Sequence, residues 1–443
     1  MEVILQGYDV NRPTWFYLSL LLIVAVFFKF NRLWSLRNLD LALLLSLAPG
    51  LLIIQADDPK TLPLGYGWMF LVTGLLLLRL FVDGAFTRRP RLEQNLNAAG
   101  MAFLCGAAFL FQTTKIMTEP PHESTLATVL RADQLLNRQD TTQEPAQDAS
   151  EAASEAGPAT SLLATTVVPF SGGVADAGAR LMAILAHAAV VLGLIFVGRW
   201  HFSDTTLGLA MATLYLLLPC TAYDVTRVNS LLPAALILWA VACYRKPIVA
   251  GLLLGLACGS MFFAVFLLPL WTAFYWKRGA VRFASALVGT AVVVVASLLL
   301  TSADSHSFTR QIIGSIEWSA LKFQAGETGV GFWSTVDPAW RIPVFATFLV
   351  MLTALSIWPL QKSVEQLLSH STAIIVGTQF WYPQHGGIYV LWYLPPMLTV
   401  VFRPRLAHLI PTPPPAPTLI ATHDEASRRE SWNIVITRWR IFR

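Results

Sequence analysis

The chain has 443 residues, of which 55% are hydrophobic and 13% are charged, and its mean hydropathy is +0.58. Soluble domains carry roughly a quarter charged residues, so this composition excludes an ordinary soluble protein and indicates a membrane protein. The net charge of +5 does not indicate nucleic-acid binding, because membrane proteins collect basic residues in their cytoplasmic loops.

Apolar runs recur along the chain, and an α-helix needs about 20 apolar residues to cross a bilayer. Their number predicts an all-α, polytopic bundle of about 11–13 transmembrane helices, multi-pass in the inner (cell) membrane. The first run, Thr14–Phe28, precedes Lys29, Arg32 and Arg37 and lacks a small-residue cleavage site. We therefore expect a membrane span there and not a cleaved signal peptide.

Residues 1–116 are predicted to form an N-terminal region of four spans. Basic residues follow the first span, and Arg88–Arg91 follow the third, so both turns are expected in the cytoplasm. The N-terminus and the loop Gln55–Lys60 are therefore expected outside. At the inner end of the third span, Asp83 follows Arg79 closely. Intramembrane charges of opposite sign usually pair, so an ion pair is expected here.

Residues 117–178 differ in composition from the rest of the chain. They are rich in Ala, Thr, Glu, Gln and Pro, and their acidic residues outnumber their basic ones. Such a segment has too little apolar surface to pack, so we expect an outer, low-complexity and mostly disordered loop. The exception is Ser124–Leu136, where Leu126, Val129 and Leu130 predict one face of an interfacial helix.

Residues 179–301 are predicted to form a central membrane module. Its apolar runs are separated by short loops, which are basic around Arg199 and Arg245 and polar around Asp224. The alternation predicts that Asp224 faces outside while the two arginines face the cytoplasm.

The last long run of this module, Ile248–Trp276, has basic residues at both ends. Both ends are therefore expected on the cytoplasmic side. At about 29 residues, the run is long for one span and short for two. A hairpin of two half-helices that turns at Gly259-Ser260 fits the charges. A single tilted span is the alternative, and it would invert the topology of the chain that follows.

The remaining chain is predicted to contain a lid, further spans and a tail. Residues 302–340 are dense in aromatic side chains and are expected to form an outer lid loop. Residues 341–405 hold the C-terminal spans. Residues 406–443 contain a proline run and a basic end, which predict a cytosolic tail.

The order of elements in residues 180–282 is helix, short polar loop, helix, basic turn, broken helix and basic turn. This order resembles the central membrane module of the polyprenyl-phosphate-sugar-dependent glycosyltransferases of the C superfamily, especially the bacterial mannosyl- and arabinosyltransferase-like branch. The resemblance covers about a quarter of the chain. It implies transfer of a sugar from a polyprenyl-phosphate lipid in the outer leaflet to an extracytoplasmic acceptor.

The resemblance also implies a general base in an early outer loop, which takes the proton of the acceptor hydroxyl as the lipid phosphate leaves. Asp57 and Asp58 are adjacent carboxylates in such a loop and are the predicted catalytic residues. Repulsion between them would raise one pKa toward that of a working base. The alternative is that Asp57-Asp58-Pro59 forms a solvated turn at a helix end. The pair follows the second span, whereas the family's base follows the first.

The polar loop of the central module holds three predicted substrate-binding residues, Asp224, Arg227 and Asn229. A guanidinium group recognises phosphate through two parallel hydrogen bonds, and Asp or Asn side chains can hold sugar hydroxyls. The family often carries a Lys in the broken helix that faces the lipid phosphate. This chain reads Ser260–Phe263 there, so Arg227 would take that role. The alternative is a solvated loop with a local ion pair.

Tyr382 and His385, in the polar turn Trp381–Gly387, complete the predicted substrate-binding set. Aromatic rings stack on sugars and an imidazole donates to phosphate, but an interfacial aromatic belt explains the same residues equally well. The four cysteines lie in or beside apolar runs without metal-ligand spacing. We therefore expect no metal site and no cofactor.

Two other functions fit the same sequence. A transporter or flippase for a lipid-linked solute also uses broken helices and intramembrane charges. A non-catalytic membrane scaffold would keep the fold without the site. For the enzyme, the expected partners are a polyprenyl-phosphate lipid and membrane lipids. A binding site near the membrane midplane would distinguish the transporter from the enzyme.

Overall fold

The computed structural model describes residues 12–56, 58–85, 94–137, 157–300, 302, 308–309, 331–334, 336–383, 388–406 and 409. All regular structure within these residues is helical. The α-helices are α1 (Arg12–Phe27), α2 (Leu36–Leu45), α3 (Leu47–Gln55), α4 (Leu62–Phe81), α5 (Ala98–Thr118), α6 (Glu123–Asn137), α7 (Pro158–Ala164), α8 (Ala175–Trp200), α9 (Thr205–Leu217), α10 (Pro219–Tyr223), α11 (Val228–Ala242), α12 (Pro247–Ser260), α13 (Leu268–Tyr275), α14 (Ala280–Leu300), α15 (Arg341–Ile357), α16 (Val364–Thr378) and α17 (Val390–Phe402).

Several of these helices have the length and composition of membrane spans. Among the described residues, five segments qualify: Leu36–Gln55, Leu62–Ala85, Ala98–Thr118, Ala175–Trp200 and Ala280–Leu299. Large apolar side chains project from the bundle, and Leu71, Leu78, Val288 and Val292 are each more than half exposed. Apolar surface of this extent is stable against lipid rather than water. The expectation of an all-helical membrane protein is confirmed at this level, while the number of spans stays a prediction.

The helices run back and forth between two ends of the bundle. We call the end that carries Arg199 and Arg245 the basic end, and the opposite end, which carries Asp224, the loop end. At the basic end, the His201 Nε2 atom lies 2.8 Å from the Ala242 carbonyl oxygen and joins the ends of α8 and α11. The basic turns are thus gathered at one end, as the charge pattern predicts.

Helix α8 positions the polar loop that precedes α11. Its His187 side chain lies 3.0 Å from the Val225 carbonyl oxygen through Nε2 and 2.8 Å from the Tyr215 hydroxyl through Nδ1. Near the C-terminal end of α8, a Cβ atom at Gly198 would collide with the backbone of Gly208 on α9. Close helix packing and two buried hydrogen bonds therefore fix the loop that carries Arg227.

The segment predicted as a hairpin is broken at the expected place. Helix α12 ends at Ser260, and Met261 is extended, with φ −152° and ψ 136°. A 3-10 turn, Phe262–Leu267, then leads into α13. The Tyr275 hydroxyl at the end of α13 donates to the Tyr244 carbonyl oxygen at 2.6 Å, three residues before α12 begins. The chain therefore returns to the basic end, so the hairpin is confirmed and the single tilted span is wrong.

A stripe of glycines holds the first half of the hairpin against α14. Gly251, Gly255 and Gly259 follow one another at four-residue spacing on one side of α12. A Cβ atom at Gly255 would lie 2.9 Å from the Thr290 Cβ atom, and one at Gly251 would collide with the backbone of α14. Small residues at this spacing let two helix backbones approach closely within a membrane.

Two parts of residues 117–178 are folded: the first contains the helix expected at Ser124–Leu136, and the expectation of a mostly disordered loop is wrong for the second. They are α6 and the segment from Gly157 to Phe170, which contains α7 and a 3-10 turn. Of the predicted apolar face of α6, Val129 is buried and Leu130 is half exposed, and Thr125 and Thr128 are buried as well. The reason is that Thr125 Oγ1 donates to the Thr226 carbonyl oxygen at 2.9 Å. Residues 138–156 lie outside the described residues.

A buried network of charges ties together the basic end. Arg79 donates two hydrogen bonds to Asp40, at 2.6 and 3.0 Å, and a third to Asp83 at 2.9 Å. Arg403 pairs with Asp83 and with Glu365. The predicted pair of Arg79 and Asp83 is confirmed, and the network extends it to join α2, α4, α16 and the end of α17. Opposite charges compensate each other there, as buried charges require.

Removing the shared cation should destabilise the fold strongly. Arg403→Met leaves Glu365 without its arginine and Asp83 with Arg79 alone, and breaking a buried ion pair in this way costs about 3–5 kcal/mol of unfolding free energy. The measurement is a denaturant titration of the purified protein in bicelles. Asp176→Asn is the matched control, since its 2.9 Å pair with Arg180 is half exposed, and it should cost less than about 1 kcal/mol. Equal losses in the two variants would contradict this role of the network.

Candidate functional site

The tip of the hairpin is covered by the segment that precedes α8. The break after Ser260 leaves carbonyl oxygens without helical partners, and such groups need other donors inside a membrane protein. The Gly157 amide donates to the Ser260 carbonyl oxygen at 3.0 Å, and Thr160 Oγ1 approaches the same oxygen at 3.5 Å. A Cβ atom at Gly157 would collide with the Gly259 carbonyl group. The two backbones therefore meet where the helix is interrupted.

Beyond the break, aromatic side chains join the hairpin to the turn between α16 and α17. Phe263 stacks on Trp392, with ring centroids 4.3 Å apart. Phe266 packs edge-on against Trp381 at 5.5 Å. These four rings place the hairpin tip beside the turn that contains the predicted residues Tyr382 and His385.

Arg227 lies at the edge of this aromatic cluster. Its guanidinium carbon is 5.9 Å from the centroid of the Tyr389 ring, a distance suited to a cation–π interaction. Tyr389 stacks on Trp392 at 4.2 Å, and Tyr382 packs edge-on against Tyr389 at 5.5 Å. The structure thus brings together two predicted substrate-binding residues, Arg227 and Tyr382, through a tyrosine that both contact. His385, which lies between Tyr382 and Tyr389 in the sequence, is outside the described residues.

The other two residues of the polar loop lie in different surroundings. Asp224 is partly exposed in the turn before α11, where its carbonyl oxygen accepts the Arg227 amide at 3.1 Å. Asn229 is buried, donates to the Ser124 carbonyl oxygen at 3.2 Å and accepts from Thr128 Oγ1 at 3.3 Å. Asp224 thus lies in the same turn as Arg227, whereas the Asn229 amide holds α6 in place.

The predicted catalytic carboxylates are only partly described. Asp57 lies outside the described residues. Asp58 is exposed at the loop end, where its carboxylate accepts the Lys60 amide at 3.1 Å and its carbonyl oxygen accepts the amides of Thr61 and Leu62. This is the solvated turn that the sequence offered as the alternative. Within the described chain, no contact joins Asp58 to Arg227 or to the aromatic cluster.

Buried polar groups near the aromatic cluster form a feature that the sequence analysis missed. Gln379 is fully buried, and neither its amide oxygen nor its amide nitrogen makes a hydrogen bond in the described part of the chain. The same holds for the indole nitrogens of Trp381 and Trp392. Leaving such a group unsatisfied costs about 1–3 kcal/mol. The signal in the sequence for this buried polar group was a glutamine at the end of an apolar run.

Part of the predicted lid packs on this region. In the described residues 331–334, Phe332 stacks on Phe70 with centroids 4.1 Å apart, and the Trp333 indole donates to the Phe380 carbonyl oxygen at 3.0 Å. At the start of α15, Arg341 Nε donates to the Trp381 carbonyl oxygen at 3.1 Å. The turn between α16 and α17 is therefore held from both sides. Most of residues 302–330 lie outside the described residues, so the lid itself stays a prediction.

No metal centre is found among the described residues, where His, Cys, Asp and Glu side chains nowhere form a group of three or more. The four cysteines, all of them described, are free. The described site contains a guanidinium group, aromatic rings, amides and the carboxylate of Asp224.

Searches against protein-family models, curated proteins and solved structures give no match to this chain. The likeness to the C superfamily accordingly rests on the order of elements in residues 180–282 and on the residues quoted for it. The function must be argued from the geometry of the loop end.

A methyl group at the hairpin tip should loosen the covering segment. Gly157→Ala places a Cβ atom against the Gly259 backbone, and overpacking of this kind typically costs about 1–3 kcal/mol. Hydrogen exchange should show faster exchange of the amides in α7, together with a lower unfolding free energy. Gly67→Ala on α4 is the control, because nothing lies within 4 Å of its Cβ position. Unchanged protection of α7 in Gly157→Ala would contradict the contact.

Proposed function

We propose that this protein is a multi-pass enzyme of the inner membrane that transfers a sugar from a polyprenyl-phosphate donor to an extracytoplasmic acceptor. The loop end faces outside in this proposal, where the lipid-linked donor lies. The observation that carries it is the position of Arg227, stacked on Tyr389 beside the tip of a re-entrant hairpin.

The hairpin supports the proposal because it interrupts the bundle at the loop end. Helix α12 contains 14 residues, which span about 21 Å, less than the roughly 30 Å of a hydrocarbon core. Its tip therefore lies below the outer surface of the membrane. A phosphate on a membrane lipid reaches that depth, and Arg227 offers it a guanidinium group that recognises phosphate oxygens with two hydrogen bonds.

The surrounding residues supply contacts for the sugar. The buried rings of Tyr382, Tyr389 and Trp392 pack together into an apolar wall beside Arg227, while Gln379 and the Trp392 indole carry polar atoms without hydrogen-bond partners in the described chain. Sites for small polar ligands combine apolar walls with a few such polar groups. A neutral, hydroxyl-rich ligand fits this lining better than a second charged group does.

In the proposed reaction, a carboxylate removes the proton of the acceptor hydroxyl, and that oxygen forms a bond to the anomeric carbon of the sugar. The bond between this carbon and the phosphate oxygen breaks, and polyprenyl phosphate leaves with the bonding electrons. Arg227 stabilises the charge on the leaving phosphate. Asp57 and Asp58 are the proposed bases, and Asp224 is the carboxylate nearest to Arg227 along the chain.

A transporter or flippase for a lipid-linked solute is the second candidate. The Tyr393 hydroxyl is buried next to Thr73 in the middle of α4, and neither hydroxyl makes a hydrogen bond of normal geometry within the described chain. Polar groups at that depth would also fit a solute path through the bundle. Turnover of a labelled donor separates the two functions.

The donor phosphate and the base can be tested with separate variants. Arg227→Ala should weaken donor binding by about 2–5 kcal/mol, because it removes the cation from a partly buried charge pair. Asp57→Asn and Asp58→Asn should each be tested for a loss of turnover of about 10²–10⁴-fold at unchanged donor binding, the size expected for a general base. The measurements are sugar transfer from a labelled polyprenyl phosphate in membranes and binding of the same donor.

Arg180→Gln is the matched control, because Arg180 also lies near the loop end but pairs with Asp176. It should leave donor binding within about twofold, as expected for a distant charge. If both carboxylate variants keep wild-type transfer while Asp224→Asn loses it, the base is Asp224. If the wild-type protein transfers sugar from no polyprenyl donor, the enzyme is ruled out and the transporter or scaffold takes its place.

A further inference from the structure

A cavity lies at the basic end, far from the candidate donor site. Its volume is about 590 Å³, and it opens between the end of α4, the end of α15 and the first turns of α16. Gln366, Ser369, His370 and Ala373 line it along one side of α16. From Ser363 at its mouth to Ala373, the groove follows the helix for about 15 Å.

The charges around this cavity leave one cation available. Asp83 is held by Arg79 and Arg403, and Glu365 is held by Arg403 and accepts the Leu406 amide at 3.3 Å. Arg405 also lines the cavity, is exposed and forms no ion pair with any residue that the structure describes. An added negative group would therefore meet Arg405 without competing with an existing pair.

The rest of the lining is apolar and continues onto the surface of the bundle. Leu80, Phe81, Leu355 and Trp358 form the walls away from the charged mouth. Phe81 and Trp358 are 50% and 73% exposed, so the groove opens sideways between α4 and α15 toward the hydrocarbon. A polar mouth followed by an apolar groove matches a molecule with a charged head and an apolar chain.

We propose that this groove binds an anionic membrane phospholipid, with its phosphate headgroup at Arg405 and an acyl chain along Phe81 and Trp358. Cations in pockets between helices near the cytoplasmic face commonly bind anionic headgroups, and Arg405 is an exposed cation in this pocket. The polar side chains of Ser363 and Gln366 lie at the same mouth, where they can donate to headgroup oxygens. This site is independent of the proposed transferase activity and lies at the opposite end of the bundle.

The test is native mass spectrometry of the delipidated protein, titrated with phosphatidylglycerol or phosphatidylcholine. Phosphatidylglycerol should bind more tightly, and Arg405→Gln should weaken it about fivefold, since one basic residue at a membrane surface contributes about that factor. Arg282→Gln removes an exposed cation at the same end of the bundle outside the cavity and should change nothing. Ala373→Leu, which fills the deep end of the groove, should weaken both lipids.

Two results would overturn the proposal. One is a lack of selectivity, seen either as equal affinity for the two lipids in the wild-type protein or as an equal loss in Arg405→Gln and Arg282→Gln. The other is full competition by glycerol phosphate, which has the anionic group without an acyl chain and would identify a site for free phosphates. Neither result depends on sugar transfer, so the proposed enzyme function is unaffected by this outcome.

Discussion

The hydrogen bond from the Gly157 amide to the Ser260 carbonyl oxygen satisfies the hairpin backbone where its helix stops. A helix that ends inside a membrane bundle exposes carbonyl groups that neither lipid nor apolar side chains can satisfy. The segment before α8 supplies the missing donor, and the glycine at residue 157 lets the two backbones touch. The aromatic contacts of the hairpin beyond the break follow from this interruption.

The interrupted helix places aromatic rings where a straight helix would place a further turn. Phe263 stacks on Trp392, and Trp392 stacks on Tyr389. The guanidinium group of Arg227 lies over the Tyr389 ring. A cation, an aromatic cluster and buried hydrogen-bonding groups such as Gln379 are thus gathered at the loop end of the bundle. The opposite end mainly pairs its charges internally, so the two ends differ in chemistry.

The sequence predicted features that depend on local signals. Basic flanks and an awkward length predicted the hairpin at Ile248–Trp276, and spacing predicted the pair of Arg79 and Asp83. The sequence-based predictions failed where contacts between distant segments determine the structure. The segment around Gly157 looked too polar to fold, yet it packs because its small residues and backbone donors meet an interrupted helix. Asp58 was selected for its charge, although its position among turn residues already favoured the solvated turn that the structure contains.

The candidate site exists only if the hairpin returns to the basic end. The distance between residues 245 and 277 is therefore the most direct test of this structure. Spin labels on cysteines at these two positions, in a variant without the native cysteines, give their separation by double electron–electron resonance. A continuous helix would separate the labelled backbone positions by about 48 Å. The hairpin predicts well under half of that distance, since Tyr275 and Tyr244 are in contact. A separation near the full helix length would contradict the hairpin and the site built on its tip.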